Sequence, residues 1–318
     1  MGNRKTQPAA ESSTDCRPRE RGKGRGTKRR EAIGRVGWLP LSPDYLEQSR
    51  RPLVSLAFIV PLLATYEGGI LCLGPAALRN GADVWLRYLL SLVGLGQYFL
   101  LPLLTVALLL AWHHVRNERW RLRREIVLGM YLECVVLAFG LLGLGYLERN
   151  LSQLALAVLH PSVAPSGGEQ QLEPRGHFAP AMAPRRSSAP QRVGTSGTAP
   201  RAALLATVVS TPAARLVGFC GAGIYEEALF RLMLLPPVVG VLRLFGMPRA
   251  WRLTLSVLAT SVIFSAAHYV GPQGEALDWF SASFRCFAGI FFATLFVHRG
   301  FGIAAGTHAV YDVLVGLA

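Results

Sequence analysis

Residues 223–235 read GIYEEALFRLMLL, two adjacent carboxylates and a guanidinium inside an otherwise apolar run. An ionisable side chain at the centre of a bilayer costs about 2.5–3.5 kcal/mol on insertion scales, so Glu226, Glu227 and Arg231 each need a partner or a task. On a helix Glu227 and Arg231 are four apart and share a face, which predicts an ion pair between them. Glu226 lies about 100° round the helix and is left over. An unpaired carboxylate in an apolar surround is the kind of group that takes a proton from water. The same three charges also fit a plainer reading, buried pairs that hold helices together.

Composition fixes the setting of that stretch. The 318 residues are 51% hydrophobic and only 16% charged, a balance that places the chain among integral membrane proteins. The net charge of +14 does not point to nucleic acid, because the basic residues gather in the N-terminal tail and in short loops. Anionic lipid and membrane topology account for them better. The five cysteines include no CxxC pair, which argues against a disulfide framework or a cysteine zinc site.

Outward from the acidic motif the chain divides into four parts. Residues 1–52 form a basic tail (RPRERGKGRGTKRR at 17–30) with too few large apolar residues to order itself, so disorder is expected. Residues 53–159 carry three apolar segments, at 53–73, about 85–112 and 126–147. Residues 160–201 are rich in Pro, Ser, Gly and Arg and read as a disordered linker. Residues 202–318 hold four more segments, at about 202–235, 253–269, 281–297 and 301–318. The expected fold is an all-α polytopic transmembrane helical bundle of about seven membrane segments. The fourth segment exceeds one span and contains Pro212 and the pair Pro236–Pro237, so a short re-entrant piece followed by a helix that stops at the prolines is expected. Arginine-rich loops follow the second, fourth and sixth segments, with Arg299 in the last, which predicts a cytoplasmic N-terminus.

Of the seven histidines, only His268 and His308 fall within apolar segments. Asp312 lies one helical turn beyond His308 and is positioned to accept from its imidazole, fixing the tautomer. Counted from the span ends, His268 and His308 fall at different depths. Glu67, Glu133, Arg215 and Arg285 also lie in apolar segments and read as structural pairs.

Three motifs now stand in order on separate membrane segments: EEALFR at 226–231, FSAAH at 264–268 and HAVYD at 308–312. The order EExxxR, FxxxH, HxxxN/D resembles the CPBP family of intramembrane glutamic endopeptidases, which includes the type II CAAX prenyl proteases. The resemblance covers about 202–318. It implies that Glu226 is the base that activates a water, with His268 helping to hold it, and that Glu227 with Arg231 positions the base. It further implies that His308 and Asp312 stabilise the oxyanion. Asp312 stands where better-known members carry Asn, and since an ionised carboxylate donates no hydrogen bond, orientation of His308 suits it better. No organic cofactor is implied, and the expected partners are membrane lipid and a peptide or protein substrate at the membrane, CAAX-type C-terminal processing included.

Two other readings remain. Glu226, His268 and His308 make a zinc-ligand set with an open fourth position, although the absence of an HExxH-type helix favours the glutamate mechanism. Alternatively the polar residues serve a non-catalytic membrane scaffold or transporter.

Overall fold

A computed structural model describes residues 43–74, 79–96, 99–159, 211–271 and 274–317. The re-entrant piece expected before residue 211, the linker 160–201 and the tail up to residue 42 lie outside the described residues. Helix α1 (Pro43–Ser49) precedes α2 (Pro52–Leu73), α3 (Gly81–Leu92), α4 (Leu100–Val115) and α5 (Arg124–Leu159). Helix α6 (Pro212–Glu227) runs into a π-helical turn (Ala228–Leu234) and α7 (Leu235–Leu244), followed by α8 (Arg249–Ala267), α9 (Trp279–Arg299) and α10 (Phe301–Leu317). Among the described residues there is no strand.

Helix α5 shows why this is a membrane fold. One stripe, Ile126, Met130, Cys134, Ala138 and Leu141, is buried in the core. The opposite stripe, Leu128, Leu132, Val136 and Phe139, is equally apolar and exposed. A soluble helix carries polar residues on its outer face, whereas an outer face of this kind needs hydrocarbon against it. Among the described residues four helices are long and apolar enough to cross a membrane, at Pro52–Leu73, Arg124–Ala155, Arg249–Ala267 and Trp279–Arg299, and Leu100–Val115 and Phe301–Leu317 are shorter apolar helices. The protein is an all-helical integral membrane protein.

The segment boundaries differ from expectation in instructive places. The run expected at 85–112 is two helices, because Gly94 takes φ +77° and the chain leaves the helix there. The third segment continues to Leu159, since nothing beyond residue 147 breaks it. At about 1.5 Å per residue its 36 residues span about 54 Å, well over a hydrocarbon core of about 30 Å. Pro236 and Pro237 do not stop their helix. The preceding π turn lets Leu235 N–H reach the Phe230 carbonyl, five residues back, and the prolines then occupy the first turn of α7, where no N–H is required. Residues 43–49 of the predicted tail fold as α1, held by Tyr45 donating to Glu133 at 2.6 Å and by Arg299 donating to Ser49 Oγ at 3.0 Å. The last three segments agree with expectation to within about four residues.

The centre of the bundle is α10, whose residues Phe301 to Ala309 are all buried. It is enclosed because small residues let its neighbours close in. Gly302 meets Ser55 of α2, with its N–H donating to Ser55 Oγ at 3.0 Å. Gly306 meets Phe58 and Cys134, and Gly223 of α6 lies so near that a Cβ there would be 2.6 Å from the Ala305 carbonyl oxygen. Close backbone approach at small residues is how helices associate without a hydrophobic drive between them. It also lays the acidic end of α6 beside His308.

The intramembrane charges thought to pair with each other take other partners. Glu133 pairs with Arg299 at 2.6 Å, Glu67 accepts from Tyr225 Oη and faces Arg87 at 3.6 Å, Arg285 pairs with Glu275 at 2.8 Å, and Arg215 donates to the Gly316 carbonyl at 3.4 Å. Arg50, Arg51, Arg116 and Gly300 line one cavity together with Trp112 and Phe296, so the start of α2, the end of α4 and the α9–α10 junction share one end of the bundle.

Candidate active site

Glu226 and Glu227 lie in the last turn of α6, both buried, where the helix passes into the π turn. Glu227 is shared between a guanidinium and an imidazole. Arg231 Nη1 lies 3.1 Å from Glu227 Oε1, as the four-residue spacing predicts, and His308 Nδ1 lies 2.8 Å from the same oxygen. Arg231 is held in turn by donating to the Gly289 carbonyl at 3.2 Å and by lying over the Phe264 ring at 4.4 Å. A buried guanidinium needs that much company, because each unsatisfied donor there costs free energy.

His308 is fixed on two sides. Phe292 of α9 stacks on its ring at 4.4 Å and 12°, and Glu227 takes the Nδ1 proton. The direct hydrogen bond to His308 expected of Asp312 is made by Glu227 instead. Asp312 Oδ2 sits 3.7 Å from His308 Nε2, too far for a direct bond and at the same spacing as Glu226 Oε2 from that nitrogen. The reason is that Nδ1, the nitrogen nearer the backbone, points across to α6, which leaves Nε2 as the outward atom.

His268 closes the end of α8 and folds back on it, its Nδ1 at 2.9 Å from its own helix's Phe264 carbonyl. A carbonyl only accepts, so the Nδ1 proton is committed and Nε2 faces outward here too. Both outward nitrogens meet one atom. Glu226 Oε2 is 3.8 Å from His268 Nε2 and 3.7 Å from His308 Nε2, and it has no hydrogen-bond partner among the described residues. Two polar atoms 3.7–3.8 Å apart are too far for a direct bond and well spaced for one water that bonds to both. The depth mismatch counted from span ends does not survive folding, because both rings reach the same carboxylate oxygen.

The other oxygen of Glu226 has a partner that the sequence did not announce. Asn80, the N-cap of α3, is buried and donates from Nδ2 to Glu226 Oε1 at 2.9 Å, while its own Oδ1 accepts from Ala82 N–H at 2.7 Å. The stretch NGAD at 80–83 is legible as a helix start. Nothing in it signals a contact with a residue 146 positions away. Phe264 completes the site, its ring edge-on to His268 at 5.0 Å and to His308 at 6.2 Å.

The six residues singled out from the sequence, Glu226, Glu227, Arg231, His268, His308 and Asp312, come together in direct or one-water contact. A carboxylate with one oxygen anchored and the other facing two imidazoles is an arrangement that moves protons. A family model for the type II CAAX prenyl endopeptidase Rce1-like group matches residues 208–314. No curated protein and no solved structure matches the chain. The matched stretch runs from just before α6 to near the end of α10 and contains all six residues. Over those residues the chain is similar to the Rce1-like group of type II CAAX prenyl endopeptidases.

Proposed function

We propose that the protein is an intramembrane glutamic endopeptidase that cuts a peptide bond near the C-terminus of a membrane-associated substrate, CAAX type included. The observation that carries this reading is Glu226 Oε2, unpartnered among the described residues and 3.7–3.8 Å from two imidazole nitrogens. A water between them gives one proton to Glu226 as its oxygen attacks the scissile carbonyl carbon. The carbonyl π pair moves onto oxygen, and an N–H at His308 Nε2 stabilises the oxyanion. The intermediate collapses, the C–N bond breaks, and the leaving nitrogen takes the proton from Glu226. An oxyanion donor of this kind contributes about 3 kcal/mol in other systems. Asn80 and Glu227 act one step back, holding Glu226 and His308 in place.

No organic cofactor is needed, since acid, donor and water suffice for hydrolysis. The zinc reading predicts loss of activity in chelator with recovery on adding zinc, and the glutamate reading predicts neither. The arginines gathered at one end of the bundle support a cytoplasmic N-terminus, with anionic lipid as their partner.

The test is proteolysis of a prenylated CAAX peptide by purified protein in lipid. Glu226→Gln and His308→Ala should each abolish cleavage while expression and membrane insertion persist. Full activity in both variants would refute the assignment, and a folded protein that cleaves nothing in any form would favour the scaffold.

A further inference from the structure

Arg285 of α9 is buried, and its side chain is only partly accounted for. Nη2 pairs with Glu275 at 2.8 Å, yet Glu275 is 37% exposed and sits on the loop between α8 and α9. Nη1 is buried with no hydrogen-bond partner among the described residues. The guanidinium lies 5.2 Å from the centre of the Tyr269 ring, and Tyr269 Oη is likewise buried without a partner among them. Two donors on side chains that pack together are therefore desolvated without an acceptor among the described residues, an arrangement that persists where a ligand supplies one.

Their place in the fold is specific. Tyr269 follows His268 directly, and Glu275 N–H donates to the His268 carbonyl at 3.0 Å, so the loop is tied to the end of α8 that carries the histidine. On α9, Arg285 lies seven residues before Phe292, the ring stacked on His308. Seven residues are almost two full turns, which puts both on one stripe about 10 Å apart. Gly289, whose carbonyl holds Arg231, lies between them on that stripe.

We propose that Arg285 and Tyr269 form the subsite that takes the C-terminal carboxylate of the substrate. This rests on the endopeptidase reading. A cut inside a four-residue C-terminal box leaves one to three residues before the terminal carboxylate, a reach of up to about 10 Å when extended. That equals the offset along α9 between His308's stacking partner and Arg285. A guanidinium nitrogen and a phenol hydroxyl are the donors a carboxylate requires, and a planar guanidinium binds it through Nη1 while Nη2 keeps Glu275. Arg285 is thus a specificity residue outside the three motifs. It separates a chain terminus from an internal peptide, which carries no charge at that distance from the scissile bond.

The experiment compares one prenylated CAAX peptide with its terminal carboxylate free or amidated. In the unmodified protein, kcat/KM should favour the free acid by at least about tenfold, the size expected of a charge-assisted hydrogen bond. Arg285→Gln should bring the ratio to within about twofold of unity, Tyr269→Phe should lower it part-way, and Arg285→Lys should keep a share of it. An unmodified protein without preference, or variants that all keep its ratio, would overturn the proposal. If Arg285→Gln fails to fold, the Arg285→Lys and Tyr269→Phe ratios decide. Binding of both peptides to Glu226→Gln protein separates this subsite from the cleavage mechanism. Tighter binding of the acid that disappears on adding Arg285→Gln supports the subsite even if Glu226→Gln still cleaves, and equal binding of acid and amide counts against it even where cleavage depends on Glu226.

Discussion

Asn80 offers the sharpest test of how the site is held, because it does two jobs that different substitutions separate. Its Oδ1 caps α3 by accepting from Ala82 N–H, and its Nδ2 anchors Glu226 Oε1 at 2.9 Å. Serine retains the cap, since a hydroxyl on one carbon still reaches the first-turn N–H groups. It is too short to reach Glu226 and cannot replace the amide donor. Asn80→Ser should therefore leave helix stability within a few tenths of a kcal/mol while removing a hydrogen bond to an ionised acceptor, which contributes about 1.5–3 kcal/mol. If that bond holds the base in place during attack, the loss converts to a fall of about 10- to 150-fold in kcat. KM should change little, because Asn80 faces the base rather than the substrate. Asn80→Ala removes cap and anchor together and adds a stability loss of about 1 kcal/mol. Steady-state cleavage of a prenylated peptide, paired with thermal unfolding in the same lipid, reads both quantities. Asn80→Ser with kcat within twofold of the unmodified protein would refute anchoring by Asn80, and an equal loss of stability in the Ser and Ala variants would refute the claim that serine keeps the cap.

Further outcomes follow from the same contacts. Chelator should leave cleavage unchanged, and inhibition that zinc reverses would move Glu226, His268 and His308 into a metal site. Arg231→Met leaves the buried Glu227 with His308 as its one remaining charge partner among the described residues and should cost up to about 3–5 kcal/mol, whereas Arg231→Met with Glu227→Gln should recover part of it, measured by unfolding. Gly306→Leu drives a side chain into the Phe58 ring, 2.4 Å from the first added carbon, and should destabilise by at least about 1–3 kcal/mol in the same assay.

What was legible in the sequence was whatever depends on spacing within one helix. Glu227 and Arg231, four residues apart, pair at 3.1 Å, and the apolar runs at 253–269, 281–297 and 301–318 fold as α8, α9 and α10. What was not legible depends on which helices touch. Asp312 was an inviting partner for His308 because it lies one turn away, but a carboxylate from another helix, Glu227, reaches Nδ1 first. Glu133 was grouped with Arg215 and Arg285 for the same reason, while its partner Arg299 ends a helix 166 residues further on. Local composition misled in two ways. The break at Gly94 was hidden inside a leucine-rich run, and two prolines that should have ended a helix are absorbed by the π turn before them.

The site is also wider than the stretch that carries its motifs. Residues 208–314 include Glu226 and both imidazoles, but Asn80, which donates to Glu226, comes from the N-terminal helices. That asparagine is itself braced. Tyr66 Oη donates to Asp83 at 2.9 Å, Asp83 takes Arg79 and Arg87 at 2.9 and 2.6 Å, and Asn80 N–H approaches Tyr66 Oη at 3.4 Å. Tyr66 packs edge-on against Tyr225 at 5.4 Å, and Tyr225, the residue before Glu226, donates to Glu67 of α2. Gly221 completes the approach, since a Cβ there would meet the Tyr66 ring. Buried charges at this density are costly in hydrocarbon, and a bundle built only for packing would place leucines in their stead. The polar residues of α2 and α3 instead converge on the one turn of α6 that holds two carboxylates. The N-terminal helices therefore set the geometry of Glu226, and the rate of any proton transfer through it depends on both halves of the chain.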